Sequence, residues 1–258
     1  MMSPTSAACC SIPPVIPTAY HAKGEFRSID GLKTYVTGPQ SATKAILVIY
    51  GMQALLVISS GSLSRQSKAV ISYRLETSRN TVCSCPTFFE DEPADIAWFP
   101  PTCIAHEQNL DNFFRTKAVP DKVLSRLPGI VAAANKLATS GQFDSWSILG
   151  YCWGGKMACL ASGQGSLFKA AIQCHPAMLA VEDASSVTVP MAVLASKDES
   201  VKDVESFCNN LRVPNYVETF PTQIHGWMAA RSDLQDIEVR RKYEQGYRTV
   251  LKFCRKYA

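Results

Sequence analysis

Short, β-rich apolar runs alternate along the chain with segments whose apolar residues recur every three or four positions. The apolar runs predict strands at Ala45–Tyr50, Asn80–Cys85, Ser145–Leu149, Ala170–Cys174, Met191–Ala195 and Tyr216–Phe220, with Thr34–Val36 as a leading antiparallel strand. Between them lie helical patterns. Pro120 and Asp121 make a good first turn, followed by Val123, Leu127, Val131, Ala134 and Ala138 on one face, with a kink expected at Pro128. Gly155–Ser162 predicts a short helix that stops at Gly163, and Val201–Leu211 another. Over Asp236–Tyr257 one stripe carries Val239, Tyr243, Tyr247, Val250, Leu251 and Cys254, while Glu238, Arg241, Lys242, Lys252 and Arg255 form the opposite, solvated face. Strands alternating with helices predict βαβ units: an α/β fold with a mostly parallel central sheet flanked by helices.

Two stretches break this rhythm. Residues 51–79 are rich in Ser and basic residues and lack a clean helical period, although a βαβ pattern places a helix there. Residues 45–64 carry no charge, but only the first 14 are strongly apolar, and a membrane span needs about 20. A buried strand followed by an irregular segment is the expectation, with membrane tethering through residues 45–58 as the alternative. The first residues include Pro13, Pro14 and Pro17 and have neither a basic start nor a continuous apolar run, so they do not read as a secretory signal. With no internal repeat and no linker, residues 24–258 are expected to form one domain behind an irregular N-terminal arm, residues 1–23.

Composition narrows the function classes. The chain has 258 residues, 47% hydrophobic and 19% charged, which excludes a disordered chain and a coiled coil. A net charge of +4, evenly spread, does not argue for nucleic acid. The ten cysteines include no C-x-x-C, and no His pair has metal-ligand spacing, so neither a disulfide scaffold nor a structural zinc site is expected. Most of the cysteines read as reduced, buried small hydrophobes, which favours a cytoplasmic setting.

The chemistry concentrates at residues 148–155, Ile-Leu-Gly-Tyr-Cys-Trp-Gly-Gly. An apolar strand runs into Gly-x-Cys-x-Gly and a helix follows at once, the nucleophile-elbow pattern with Cys for Ser. A side chain at Gly150 or Gly154 would clash with the neighbouring strand or helix. The turn lifts Cys152 above the sheet, the helix N-terminus favours its thiolate, and the Trp153 backbone N–H faces the place where an oxyanion forms. The partners of such an elbow follow as acid, then His. Asp198 comes just after one predicted strand and His225 just after the next, each at the sheet edge where ligands bind. Glu199 is the rival acid. His175 lies at the same edge and reads as a structural cap of its turn; His21 and His106 lie away from it.

The segments GYCWGGKMA (150–158), CHPAM (174–178), VPMAVLASKDE (189–199), HGWMAARSDL (225–234) and YEQGY (243–247), with PTFFEDEP (86–93) and WFPP (98–101), resemble the dienelactone hydrolase family, especially its fungal branch. The resemblance covers about residues 24–50 and 80–258. It implies the α/β-hydrolase fold and a cysteine-dependent hydrolase of small esters or lactones, with no metal and no organic cofactor. Cys152 is then the nucleophile, His225 the general base and acid, and Asp198 the residue that orients the imidazole. The partners implied are a small-molecule ester or lactone, no nucleic acid and no membrane, in a monomer or homodimer.

The resemblance fails at one place. The family's acid after the third strand is Gly51 here, Met52 would have to supply the second oxyanion N–H, and the Asp expected after Pro86 is Thr87. The segment is about ten residues longer than a usual connection there. The family pattern resumes abruptly near Thr81, as a frame slip or retained intron would leave it. The missing acid makes a non-catalytic binding protein of the same fold the alternative reading. Arg231, six residues past His225, resembles a carboxylate-binding Arg of relatives and is the candidate substrate clamp, against an exposed Arg that caps a turn.

Overall fold

A computed structural model describes residues 24–51, 80–89, 92, 94–98, 101–229 and 231–258. The N-terminal arm, Met52 and the rest of the segment up to residue 79 lie outside the described residues. Eight strands form one sheet: β1 (Glu25–Ile29), β2 (Leu32–Thr37), β3 (Lys44–Ile49), β4 (Thr81–Pro86), β5 (Ser145–Tyr151), β6 (Ala170–Cys174), β7 (Met191–Ser196) and β8 (Asn215–Phe220), in the order β1-β2-β4-β3-β5-β6-β7-β8. β1 and β2 form an antiparallel hairpin and β2 pairs antiparallel with β4, while every other pairing is parallel. This is the expected sheet, extended at one edge by β1. That strand escaped the pattern because it exposes most of its residues and buries only Ile29.

The strand pattern explains the layers. In a strand successive side chains point to opposite faces, and a parallel sheet covered on both faces is apolar on both. Around β3, Ala45, Leu47 and Ile49 join one core, while Ile46, Val48 and Tyr50 join the other. The first core also holds side chains from helices α1 (Ile104–Thr116), α2 (Pro120–Leu124), α3 (Leu127–Asn135), α4 (Trp153–Leu160), α5 (Val181–Ala184) and α6 (Val201–Asn210). The second is covered by α7 (Ile237–Tyr257), whose buried stripe is Tyr243, Gly246, Tyr247, Val250, Leu251, Phe253 and Cys254. Asp236 caps α7 by accepting from the N–H groups of Glu238 and Val239. The helix kinked at Pro128 is in fact two, because a proline in the first turn begins α3 rather than bending α2.

Two close approaches set the height of the β5–α4 turn. A Cβ at Gly150 would lie 2.0 Å from the Gly154 carbonyl oxygen, and one at Gly154 would lie 2.1 Å from that of Ile49. Strand and helix therefore meet backbone to backbone, as the elbow pattern requires. At the far end of the second core, α7 passes so near the segment after His225 that a Cβ at Gly246 would meet Met228 and Trp227 at 2.7 Å. Tyr247 Oη donates to the Met228 carbonyl (3.0 Å) and contacts Tyr151 Oη at 2.6 Å. The long helix thus ties β5 to the segment that carries His225.

Gly154→Ala is expected to destabilise the fold by about 3 kcal/mol, at the upper end of overpacking costs, because the atom it meets is backbone that cannot rotate away. Gly163→Ala, whose Cβ meets nothing nearer than 3.5 Å, is expected to leave stability within about 0.5 kcal/mol. Urea unfolding midpoints of the two variants check this.

Candidate functional site

Cys152 sits between β5 and α4 with φ 54° and ψ −118°, a backbone conformation rare outside glycine. Three hydrogen bonds hold it. Its N–H donates to the Cys174 carbonyl (3.1 Å), and its own carbonyl accepts from Gly155 and Ala177 N–H (3.0 Å each). The residue is 7% exposed, so the elbow lifts the sulfur into an enclosed site and not into open solvent. Trp153 is the first residue of α4, and its N–H is among those that have no acceptor within the helix. Gly51, the residue at the position of the family acid, presses against the elbow. A Cβ there would lie 2.5 Å from Cys152 Cβ and 3.2 Å from Sγ, so the backbone leaves no room for an acidic side chain at 51.

His225 follows β8 and is 2% exposed. Its main chain and its ring are held by different acids. Asp198 Oδ2 accepts from the His225 backbone N–H at 2.7 Å, and Glu199 Oε1 lies 2.7 Å from Nδ1. The expected ring partner was Asp198, and the structure corrects it to Glu199, the rival acid. β7 runs through Ser196, and the turn after it brings Lys197 N–H onto the Gln223 carbonyl. That turn spends Asp198 on the backbone and aims Glu199, which is 8% exposed, at the imidazole. Glu199 Oε2 accepts in turn from Ser196 N–H. A carboxylate only accepts, so Nδ1 carries the proton of this bond and Nε2 is the nitrogen left for the thiol.

The electrostatics follow from that arrangement. Burial pushes the His225 imidazole down. Against it, the negative sulfur of Cys152 and a hydrogen bond to it, then the bond and charge of Glu199, hold the imidazolium up at about 10. Both the Cys152 sulfur and Glu199 therefore favour the protonated form of the ring. The other thiols near the site are quiet by comparison: burial, reinforced by Asp183, pushes Cys159 up to about 12, and burial pushes Cys174 well up. Among the described residues no cluster of His, Cys, Asp and Glu could hold a metal ion, and no helix is long and apolar enough to cross a membrane.

Arg231 is not an exposed cap. It is 2% exposed, and its Nη1 donates to the His225 carbonyl at 2.9 Å. Gly226, at φ 92°, folds the chain back so that the Arg231 stem packs on it. The guanidinium therefore supports the His225 segment. Thr87, at the position of the expected Asp, is buried and donates through its hydroxyl to the Lys33 carbonyl at 2.6 Å. His175 also falls inside the site, with its ring edge-on to that of His225 at a centroid distance of 5.0 Å. Its position directly after β6 was the signal that placed it there.

The dienelactone hydrolase family model matches residues 105–258. The chain belongs to the dienelactone hydrolase family. It is 30% identical to an uncharacterised AIM2 family protein of Schizosaccharomyces pombe over 91% of this chain and 92% of that one, in keeping with a fungal branch. The fold is similar to that of a dienelactone hydrolase from Anabaena variabilis, with a TM-score of 0.62, 12% identity, and coverage of 91% of this chain and 100% of the other. It is equally similar to a structure described as a putative dienelactone hydrolase from Klebsiella pneumoniae, with a TM-score of 0.62, 17% identity, and coverage of 93% and 100%. Membership makes the chain one of a hydrolase family with the α/β-hydrolase fold.

The two acids are separable by titration. Because the folded pKa of His225 is raised, its contribution to stability is complete below pH 6.5 and is lost as pH rises through about 10. Glu199→Gln is expected to lower the His225 pKa by roughly one unit or more, while Asp198→Asn shifts it less. NMR titration of the His225 ring reads both. An equal shift from both variants would contradict the separate roles.

Proposed function

We propose that the protein is a cysteine-dependent hydrolase of small esters or lactones. The observation that carries this reading is the alignment of Cys152, His225 and Glu199: a sulfur on a strained elbow, an imidazole raised by it, and a buried carboxylate on the imidazole's far nitrogen. A thiolate is the nucleophilic form of cysteine, and an adjacent imidazolium and a helix N-terminus both favour it.

In this reading the Cys152 thiolate attacks the carbonyl carbon. The Trp153 N–H helps to hold the oxyanion, with Met52 the candidate for the second donor. His225 gives its proton to the departing alkoxide, or, with an unsaturated lactone, to an enolate that is a good leaving group without help. Water then cleaves the thioester with neutral His225 as base. Glu199 fixes the imidazole tautomer, while Asp198 and Arg231 fix the segment that carries it. None of the eight described cysteines is in a disulfide, which supports a working place in the reducing cytoplasm. The carboxylic ester class is favoured over the binding-protein alternative because a binding site needs no cysteine on a strained elbow beside a carboxylate-bound imidazole.

Cys152→Ala is expected to lower turnover of an activated aryl ester by about 10⁴ or more, in line with other triad deletions. Peptide mapping after limited alkylation is expected to find Cys152 modified in step with lost activity and Cys159 unmodified. Undiminished hydrolysis by Cys152→Ala would remove the assignment.

Arg231→Lys is expected to cost an anionic lactone and a neutral aryl ester alike, by about tenfold in kcat/KM. Lysine cannot reproduce the planar contact with the His225 carbonyl, and the whole segment loosens. A loss confined to the anionic substrate, seen as raised KM, would instead make Arg231 a substrate clamp.

A further inference from the structure

His175 directly follows β6 and precedes Pro176. Its backbone is left-handed, with φ 38°, and its N–H donates to the Leu194 carbonyl at 2.7 Å. The residue is 1% exposed, with its ring between Tyr151 (centroid distance 5.7 Å) and His225 (5.0 Å, planes at 70°). Neither of its ring nitrogens has a hydrogen-bond partner among the described residues, and His225 Nε2 makes no hydrogen bond to oxygen or nitrogen there. Buried polar atoms are ordinarily satisfied. Burial, then the charge on His225, hold the His175 imidazole neutral; its own backbone works against them, and Arg231 with them. A neutral ring keeps one donor and one acceptor. A histidine that merely capped its turn would spend a ring nitrogen in a well-formed hydrogen bond to the backbone, and neither nitrogen makes one among the described residues.

We propose that His175 positions the water that hydrolyses the Cys152 thioester, holding it by a hydrogen bond to a ring nitrogen while His225 takes its proton. The inference rests on the thioester reading above. In this step the water oxygen bonds to the thioester carbonyl carbon, one water proton passes to His225 Nε2, and the C–S bond breaks with its electron pair on sulfur. The carboxylic acid leaves, and the thiolate–imidazolium pair is restored. Two imidazole nitrogens bridged by one water lie roughly 5–6 Å apart at most, from two hydrogen bonds of about 2.8 Å, and rings whose centroids lie 5.0 Å apart can present nitrogens within that reach. Because a buried water ordinarily makes about three hydrogen bonds, one histidine alone does not fix it. His175 is a positioning residue in this scheme: it touches the water and not the bond that breaks.

The test is stopped-flow hydrolysis of p-nitrophenyl acetate with mass spectrometry of the enzyme. Two variants remove the ring nitrogens. His175→Gly takes the left-handed backbone without strain, and His175→Phe keeps a ring against Tyr151. In either folded variant the nitrophenol burst is expected to stay within about twofold of the unaltered protein. The steady rate after it is expected to fall at least tenfold, with acetyl-Cys152 accumulating. Added imidazole is expected to restore the steady rate of His175→Gly and not of His175→Phe. A burst and steady rate that fall together, or a steady rate that does not fall, would overturn the role of His175 while leaving the thioester reading intact. No acetyl-Cys152 in the unaltered protein would overturn the thioester reading, and this inference with it.

Discussion

The left-handed backbone at Cys152 is the constraint on which the site depends. A non-glycine residue in that region costs about 1–3 kcal/mol and persists only where its surroundings over-determine it. Here the surroundings are β6, which accepts from the Cys152 N–H, the Ala177 N–H, which binds its carbonyl, and the backbone contact of Gly154 with β3. Each of these is also a packing contact of the sheet. The elbow is therefore not a loop placed on a finished core. It is the place where β3, β5, β6 and α4 meet, and relaxing it would move all four.

The same concentration of strain recurs beside it. Among the described residues, positive φ outside glycine occurs at Asp30, Cys152, His175 and Met178. Asp30 belongs to the β1–β2 hairpin, where such a conformation is ordinary. The other three flank one end of β5 and β6, the carboxyl edge of a parallel sheet. Strain at a ligand-binding edge points to function more than strain in a hairpin does, since nothing in the hairpin's connection requires a costly backbone elsewhere. The proposed nucleophile and the proposed water holder share this strained edge and are joined through Ala177, whose N–H binds the Cys152 carbonyl.

Much of this was legible in the residues. The central parallel strands carry apolar side chains on both faces, so their positions stood out to within a residue or two; β8, which buries only Phe220, stood out by its β-branched and aromatic residues, and α7 by its cleanly divided polar and apolar faces. The elements that escaped bury little: β1 buries one residue, and α1 buries only Leu110 and Phe113 and begins at Ile104, which is 72% exposed. Periodicity reports burial, and elements at the rim have little of it to report. The acid on the imidazole escaped for a different reason. Asp198 and Glu199 are adjacent, and both follow a strand end. Which one reaches Nδ1 depends on how the turn after Ser196 pairs with Gln223, a contact across 26 residues that no local pattern encodes.

That division of labour between two adjacent acids has a physical consequence for the imidazole. If a single carboxylate held both backbone and ring, any shift of the His225 segment would carry donor and acceptor together, and the ring bond would survive it. With Asp198 on the backbone and Glu199 on the ring, the ring is located by two independent points, and a third comes from Arg231 on the carbonyl. A ring pinned in this way swings little, so its Nε2 stays committed to the sulfur. The raised His225 pKa is the electrostatic counterpart of that geometry: a desolvated imidazole keeps its proton only when its neighbours are fixed in the orientation that stabilises the charge. The neutral ring of His175 completes the balance. A second charged imidazole 5.0 Å away would repel the first, and the enclosed site carries one cationic ring because burial keeps the other uncharged.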